Sequence, residues 1–274
     1  MQIENAAIVV TGAAGGIGRA LAREFHHRGA RRVVVADLDG QGAEAVAAEL
    51  DAKRPGSAFG LGVDISSEAG NVELIRSARD VCDGTIDLFF ANAGVGLGTD
   101  PITATEEDWD VSFRVNIHAH RWAAKELLPD WLERGSGYFA VTASAAGLLT
   151  QIGSAPYSVT KHAAVAFAEW LAITYGGNGL GVSCLCPMGV NTNMLNPPGA
   201  EGGIDSAAGD VVKAAGQVLE PEDVAVVTID AIEARRFLVL PHTEVKTFFE
   251  RKAADHDRWI AGMQRLQERV RSHG

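Results

Sequence analysis

The sequence is poor in cysteine, in long apolar runs and in basic residues near its start. Its three cysteines, Cys82, Cys184 and Cys186, are an odd number, which favours buried thiols in a reducing compartment over disulfides. No apolar run reaches the length of about 18 residues that spans a bilayer, and no basic segment precedes the first apolar stretch. We therefore expect a cytoplasmic protein with neither a membrane span nor a secretory signal.

Positive charge is also scarce. Lysine and arginine number 24 against 35 aspartate and glutamate residues, so the formal net charge is −11 at pH 7. An acidic surface repels phosphate backbones, which argues against a nucleic-acid partner. His118 and His120 would point to different sides of a helix, and Cys184 and Cys186 lie in an apolar, strand-like run. Neither pair has the spacing of metal ligands, so we expect no metal site.

Short apolar segments alternate with longer stretches of helical periodicity along the whole chain. Strands are predicted at 6–12, 31–37, 57–64, 86–94, 137–144, 181–187 and 237–241, and helices at 16–29, 40–54, 67–83, 105–133, 155–176, 220–235 and 244–271. The strand centres are apolar without alternation, as in strands that are covered on both faces. The pattern predicts one α/β domain, 1–274, with a doubly wound, parallel, seven-stranded sheet and helices on both faces.

A glycine-rich stretch, VTGAAGGIGRA (10–20), follows the first strand and opens the first helix. Helix N-termini bind anions through unpaired N–H groups, and a pyrophosphate can approach them only where side chains are absent. Asp37 ends the second strand, nineteen residues after Gly18. Its carboxylate can accept hydrogen bonds from the adenosine ribose and would repel a 2′-phosphate, so the pattern predicts a Rossmann-type fold that binds NAD. A simple tight turn, with Asp37 as a solvated turn residue, is the alternative.

The spacing of Thr11, Gly12, Gly16 and Gly18 resembles that of NAD-dependent members of the short-chain dehydrogenase/reductase family. Further matches extend the resemblance over nearly the whole chain: DI (64–65), ANAG (91–94), Asn116, Ser144, YSVTK (157–161) and PMGVNT (187–192), in which Met188 replaces the usual glycine. The resemblance implies that the cofactor is bound by Thr11, Gly12, Gly16, Ile17, Gly18, Asp37, Asp64, Ile65, Asn92, Ala93, Gly94, Tyr157, Lys161, Pro187, Val190 and Thr192.

Four of the matched residues would carry the chemistry: Asn116, Ser144, Tyr157 and Lys161. Tyr157 and Lys161 lie one helical turn apart, so the ammonium group is expected to lower the pKa of the phenol and let it act as a base. Ser144, at a strand end, could hydrogen-bond the substrate oxygen. The resemblance implies that Lys161 also holds the nicotinamide ribose, and that Asn116 kinks its helix and holds a water that relays protons to Lys161. Each residue alone has an ordinary structural interpretation, and only the joint pattern indicates catalysis.

The loops at the carboxyl ends of the later strands predict the substrate. Segments 94–100, 144–155 and 187–199 contain one ionisable side chain besides the catalytic groups, Asp100, and no lysine or arginine. Such a pocket favours a small apolar alcohol or ketone over a carboxylate or phosphate. The proline- and glycine-containing segment 193–218 is predicted to be a mobile loop that closes over the ligand. The predicted walls are Leu97, Leu148, Leu149, Ile152, Met188, Met194 and Leu195.

The sequence thus predicts an enzyme that moves a hydride between an apolar secondary alcohol and NAD. Three alternatives stay open: an NADP-dependent carbonyl or 3-oxoacyl reductase, a sugar-nucleotide epimerase or dehydratase of the related extended family, and a non-catalytic dinucleotide-binding regulator. The resemblance also implies a homodimer or homotetramer. The apolar stripe of 244–271 predicts a helix docked on its own subunit, on a neighbouring subunit or over the substrate pocket.

Overall fold

The structure of the protein is a computed structural model that describes residues 1–196, 209, 211 and 216–273. Most of the predicted loop 193–218 therefore lies outside the described residues. Within them, seven parallel strands form one sheet in the order β3-β2-β1-β4-β5-β6-β7. The strands are β1 (Ala7–Thr11), β2 (Arg32–Asp37), β3 (Ala58–Gly62), β4 (Leu88–Ala91), β5 (Gly137–Thr142), β6 (Leu180–Leu185) and β7 (Leu238–Val239).

Helices connect successive strands and cover both faces of the sheet. They are α1 (Gly16–His27), α2 (Gly40–Asp51), α3 (Glu68–Val81), α4 (Glu106–Phe113), α5 (Ala119–Glu133), α6 (Ala146–Leu149), α7 (Ala155–Tyr175), α8 (Pro221–Glu233), α9 (Thr243–Ala254) and α10 (His256–His273). A short 3₁₀ turn, Gly176–Asn178, follows α7. The predicted α/β class, the strand count and the parallel sheet are confirmed.

Two apolar cores lie on the two faces of the sheet, because the side chains of each strand alternate between them. On one face, the rings of Phe89 and Phe139 stack with their centroids 5.7 Å apart, and Trp131 packs against Phe139. On the other face, Phe25 of α1 packs against Phe90 of β4. Burial on both faces explains why these strands are apolar without alternation.

The strand order places β1 between β2 and β4. The chain leaves β1 toward β2 and β3 and then returns to the other side of β1 with β4. The loops that follow β1 and β4 therefore diverge, and a crevice opens between them at the carboxyl ends of the strands.

The helix predicted over 105–133 is interrupted in its middle. Helices α4 and α5 are joined by a π-helical segment, Arg114–His118, in which one turn holds an extra residue. Asn116 lies in this segment, so the predicted irregularity of the helix at Asn116 is present.

The prediction of one helix over 244–271 is wrong, because the chain breaks at Asp255. This residue has an extended backbone, and its Oδ1 accepts a hydrogen bond from the N–H of Arg258 in the first turn of α10. A short acceptor side chain competes with helix continuation and starts a new helix instead. Val245 is buried, and Phe248 and Trp259 pack against the same core as β5 and β6.

None of the helices in the described part of the chain combines the length and apolar character of a membrane-spanning segment. All three cysteines are buried free thiols.

Candidate active site

A cavity of about 440 Å³ opens at the carboxyl ends of the strands, around the crevice beside β1. The cavity is lined by the β1–α1 turn, the ends of β2, β4 and β5, and the loop after β6. Every residue that the sequence assigned to cofactor binding lines it: Thr11, Gly12, Gly16, Ile17, Gly18, Asp37, Asp64, Ile65, Asn92, Ala93, Gly94, Tyr157, Lys161, Pro187, Val190 and Thr192.

The turn between β1 and α1 requires glycine at two positions. Gly12 has a φ of +63°, in the left-handed region that other residues rarely adopt. A Cβ on Gly18 would lie 2.1 Å from the carbonyl oxygen of Gly12, so a side chain there would push α1 away from the turn. No side chain caps α1, and its first turn holds no acidic residue. The helix N-terminus therefore offers N–H groups and a positive dipole end to the cavity, which fits a pyrophosphate.

Asn92 fastens this turn to the centre of the sheet. Its Nδ2 donates to the carbonyl oxygen of Thr11 (2.9 Å), and its Oδ1 accepts from the hydroxyl of Thr142 (2.9 Å). The hydroxyl oxygen of Thr11 accepts from the backbone N–H groups of Asn92 and Ala93. The Asn92 side chain thus holds the ends of β1, β4 and β5 together.

Asp37 lies at the end of β2, beside the glycine turn. Its Oδ2 accepts from the N–H of Ala14 (2.9 Å), and its Oδ1 accepts from the N–H of Asp39 (3.0 Å). Each oxygen keeps lone pairs for a ribose hydroxyl. Among the described residues that line the cavity, the one lysine or arginine is Lys161, which approaches the end of β5 three strands away. The adenosine end of the cavity therefore offers a carboxylate and no cation.

Ser144, Tyr157 and Lys161 form one wall at the other end of the cavity. Ser144 follows β5, and its hydroxyl acts on the phenol of Tyr157, in the first turn of α7, so as to lower the pKa of Tyr157. The Nζ atom of Lys161, one turn further, lies 5.5 Å from the centre of the Tyr157 ring and donates to the carbonyl oxygen of Thr142 (2.9 Å). The end of β5 and the start of α7 therefore bring a hydroxyl, a phenol and an amine to the same wall.

Burial dominates the acid–base behaviour of this wall in the protein alone. Burial raises the pKa of Tyr157, although the hydrogen bond from Ser144 opposes this shift. Burial also lowers the pKa of Lys161 to about 8, so its charge is itself disfavoured. The expected lowering of the Tyr157 pKa by Lys161 is wrong for the protein alone, since Nζ is bonded to the backbone of β5 and not to the phenol oxygen.

Asn116 lies behind this wall and does not line the cavity. Its Oδ1 accepts from the N–H of Val95 (2.9 Å), and its Nδ2 donates to the oxygen of Val95 (3.0 Å) and to the hydroxyl of Thr160 (3.0 Å). A Cβ on Gly94 would lie 3.0 Å from Lys161 Nζ and 3.1 Å from Asn116 Oδ1. The absence of a side chain at Gly94 thus lets the asparagine and the lysine approach the same point.

The two histidines of the H-x-H pair do not converge on a site. His120 is fully buried, and neither of its ring nitrogens has a hydrogen-bond partner among the described residues. Burial, with a smaller effect of Lys161, lowers the pKa of His120 to about 3, so the ring is neutral. His118 instead packs between the rings of Phe113 and Trp122.

The predicted substrate residues divide into two groups. Met188, Met194 and Leu195 line the cavity, whereas Leu97, Leu148, Leu149 and Ile152 do not. Leu148 and Leu149 are buried in the core, because the short helix α6 packs against α7 and turns them inward. Sequence reasoning missed Val115, which lines the cavity from the π-helical segment, where no local pattern distinguishes it from its neighbours.

Comparisons with known proteins agree with this arrangement. The family model described as short chain dehydrogenase matches residues 6–201. The chain is 35% identical over 255 residues to the 1-deoxy-11-beta-hydroxypentalenate dehydrogenase of Streptomyces exfoliatus, which covers 90% of this chain and 86% of that protein. It is 33% identical over 227 residues to the meso-2,3-butanediol dehydrogenase of Serratia marcescens, which covers 83% of this chain and 87% of that protein.

A solved structure has the same fold. It is a short chain dehydrogenase/reductase from Burkholderia phymatum in complex with NAD, with a TM-score of 0.84 and 29% sequence identity, and the match covers 94% of this chain and 96% of that one. A family model that spans most of the chain, together with relatives above 30% identity over most of its length, shows that the chain belongs to the short-chain dehydrogenase family.

Proposed function

We propose that this oxidoreductase transfers a hydride between an apolar secondary alcohol, or the corresponding ketone, and NAD. The observation that carries the proposal is the shared cavity. Ser144, Tyr157 and Lys161 lie at one end, and Asp37 lies beside the uncapped N-terminus of α1 at the other. The distance between these ends, three strands of the sheet, suits the two halves of a dinucleotide.

The residues present fit NAD. The first turn of α1 would hold the pyrophosphate, Asp37 would accept hydrogen bonds from the adenosine ribose, and Lys161 would donate to the nicotinamide ribose. When it is bound, the cofactor supplies the acceptor or donor of the hydride. The protein supplies the positions of the reacting groups and the movement of the proton.

Tyr157 would remove the hydroxyl proton of the alcohol, and in the reverse direction it would return that proton to the ketone oxygen. Ser144 is placed to donate a hydrogen bond to the same oxygen, where charge develops. The positively charged Lys161, and the positive charge of the oxidised cofactor, would favour the phenolate and oppose the effect of burial on Tyr157. Asn116 would act through the loop after β4, since its Oδ1 and Nδ2 atoms are hydrogen-bonded to the N–H and the oxygen of Val95.

Support for an apolar substrate comes from the wall near Ser144. Val95, Val115, Met188, Met194 and Leu195 line this part of the cavity. The two relatives are named for different substrates, so their names do not indicate which alcohol this protein uses. Among the described residues this wall has no arginine, and its one lysine is engaged beside Tyr157, so these residues offer no partner to a substrate carboxylate or phosphate.

We also propose a homodimer or homotetramer in the cytoplasm. Trp170 and Ile173 on α7 are 53% and 83% exposed, and they lie on the same face of the helix as Val159 and Ala166. Large apolar side chains at helical spacing on a surface favour association. The cytoplasmic location is supported by the three buried free thiols.

The first prediction concerns the cofactor. The protein should prefer NAD over NADP by at least about tenfold in kcat/KM, because a 2′-phosphate beside Asp37 would have no cation to offset the repulsion. Asp37→Asn should reduce the ratio of the two kcat/KM values. Asp39→Asn is the matched control, since Asp39 caps α2 and does not line the cavity. A wild-type preference for NADP would contradict the assignment.

The second prediction concerns the base. Tyr157→Phe should lower kcat by about 10²–10⁴-fold and leave NADH binding unchanged, because it removes the proton acceptor and keeps the ring. Tyr138→Phe is the control, since Tyr138 is also buried but hydrogen-bonds Ser183 away from the cavity. Steady-state kinetics and fluorescence titration with NADH measure the two effects. A Tyr157→Phe variant with wild-type kcat would disprove the mechanism.

The third prediction concerns the substrate. With NAD, a neutral cyclic secondary alcohol should have a kcat/KM at least about tenfold above a hydroxy acid and a 3-hydroxyacyl thioester, because the described part of the cavity wall offers no free cation to a bound negative charge. The absorbance of the reduced cofactor measures all three rates. If either anionic substrate is preferred by a similar factor, the apolar-substrate proposal is wrong.

The fourth prediction concerns assembly. The wild-type chain should sediment as a dimer or tetramer, and Ile173→Glu should shift it toward monomer, because a buried unpaired carboxylate opposes association. Val72→Glu on α3 provides a control at another exposed apolar position. Sedimentation velocity distinguishes the species, and a wild-type monomer at micromolar concentration would rule out the proposal.

A further inference from the structure

A buried histidine outside the cavity holds the loop that forms part of its wall. His242 lies between β7 and α9 and is 2% exposed. Its Nδ1 lies 3.1 Å from the backbone nitrogen of Met188, and its Nε2 lies 3.0 Å from the carbonyl oxygen of Gly189. The two ring nitrogens therefore contact consecutive residues of the loop that follows β6.

These two partners define the protonation state of the ring. The N–H of Met188 can only donate, so Nδ1 must be unprotonated to accept its hydrogen bond. The carbonyl oxygen of Gly189 can only accept, so Nε2 must carry the proton. Both bonds form together only in the neutral Nε2–H tautomer, so one side chain pairs with a donor and an acceptor of the same loop. The acceptor, the oxygen of Gly189, also receives the N–H of Leu219.

The loop held by His242 lies at the reacting end of the cavity. The carbonyl oxygen of Pro187 accepts a hydrogen bond from the N–H of Ala145 (2.8 Å), and the Ser144 hydroxyl lies 3.5 Å from the same oxygen. Pro187, Met188 and Val190 line the cavity and follow β6, which lies next to β5 and four strands away from β2, the strand that ends in Asp37. Movement of this loop would therefore change the contacts of the nicotinamide half of a dinucleotide and leave the adenosine half unaffected.

The loop has few other backbone anchors near Met188. The last sheet hydrogen bond of this segment joins the N–H of Cys186 to the oxygen of Val239 (2.9 Å), and Pro187 has no N–H to donate. The next backbone anchors are the bond from the N–H of Ala145 to the oxygen of Pro187, and then the two bonds of Leu219 with Gly189 and Asn191. His242 lies between these anchors, where it receives the first N–H after the sheet ends.

We propose that His242 is a positioning residue that fixes the Pro187–Val190 wall and thereby determines the affinity for the nicotinamide half of the cofactor. The proposal rests on the proposed function, because it assumes that the cavity binds a nicotinamide dinucleotide. His242 touches neither the cavity nor the reacting groups, so its effect passes through the backbone of Met188 and Gly189. A purely structural role would instead weaken both halves of the site together or lower only the stability of the fold.

The test compares binding of NADH, which contains both halves, with binding of AMP, which contains only the adenosine half. Three variants separate the two bonds: His242→Leu removes both, His242→Asn can retain the acceptor for Met188, and His242→Gln can retain the donor to Gly189. The matched control is His26→Leu, because His26 is also a buried, hydrogen-bonded histidine but contacts Ser57 far from the cavity. Fluorescence and calorimetric titrations give the two dissociation constants, and thermal unfolding reports stability.

We expect His242→Leu to raise the dissociation constant of NADH by about tenfold and that of AMP by less than about twofold, since two buried hydrogen bonds to the wall are lost. His242→Asn and His242→Gln should each have an intermediate effect on NADH. His26→Leu should lower the unfolding temperature and leave the ratio of the two dissociation constants at the wild-type value.

Two results would overturn the inference about His242. One is an unchanged NADH affinity in all three His242 variants, and the other is an equal loss of NADH and AMP affinity in the folded variants. If His242→Leu does not fold, the Asn and Gln variants decide the question. A wild-type protein that binds AMP but not NADH would instead contradict the proposed function, and the inference would fail with it.

Discussion

The close approach of α1 to the end of β1 is the contact on which the rest of the site depends. At Gly18 the helix passes so near the glycine turn that an added Cβ would lie 2.1 Å from the oxygen of Gly12 and 2.6 Å from Nδ2 of Asn92. The approach aims the uncapped helix N-terminus into the crevice between β1 and β4. Beside this contact, the pairing of β1 with β4 brings Asn92 within reach of Thr11, so that one amide joins three strand ends. A larger residue at position 18 would therefore disturb both the glycine turn and the hydrogen bonds of Asn92.

Polar side chains hold the loops that form the cavity wall, and of the three, Asn92 lines the cavity whereas Asn116 and His242 do not. Asn92 ties the turn after β1 to β5, Asn116 ties the loop after β4 to α7, and His242 ties the loop after β6 to the β7–α9 connection. Each is buried or half-buried, and each forms hydrogen bonds with the backbone of the loop or strand end that it holds. Because a flexible loop would lower the precision of the reacting groups, these side chains would support the proposed hydride transfer by fixing the loops.

Sequence reasoning succeeded where the signal is local and failed where it depends on packing. The apolar strand centres predicted the parallel sheet because both faces are buried, and the spacing of Tyr157 and Lys161 placed them one turn apart on α7. It assigned Leu148 and Leu149 to the pocket, whereas α6 turns them into the core. It expected Lys161 to lower the pKa of Tyr157, yet burial raises the pKa of Tyr157, and Nζ of Lys161 is bonded to the backbone of β5.

By itself the sequence determined the properties that depend on neighbours along the chain: the glycine turn, the carboxylate at the end of β2, the helical spacing of the phenol and amine, and the class of fold. Only the tertiary structure decided which side chains face the cavity, where the last helix breaks, and that His242 meets a backbone N–H 54 residues away. The physical reason is that periodicity assigns a residue to a face of its own element. The partner of that face depends on how distant elements pack, and packing is decided by the whole core at once.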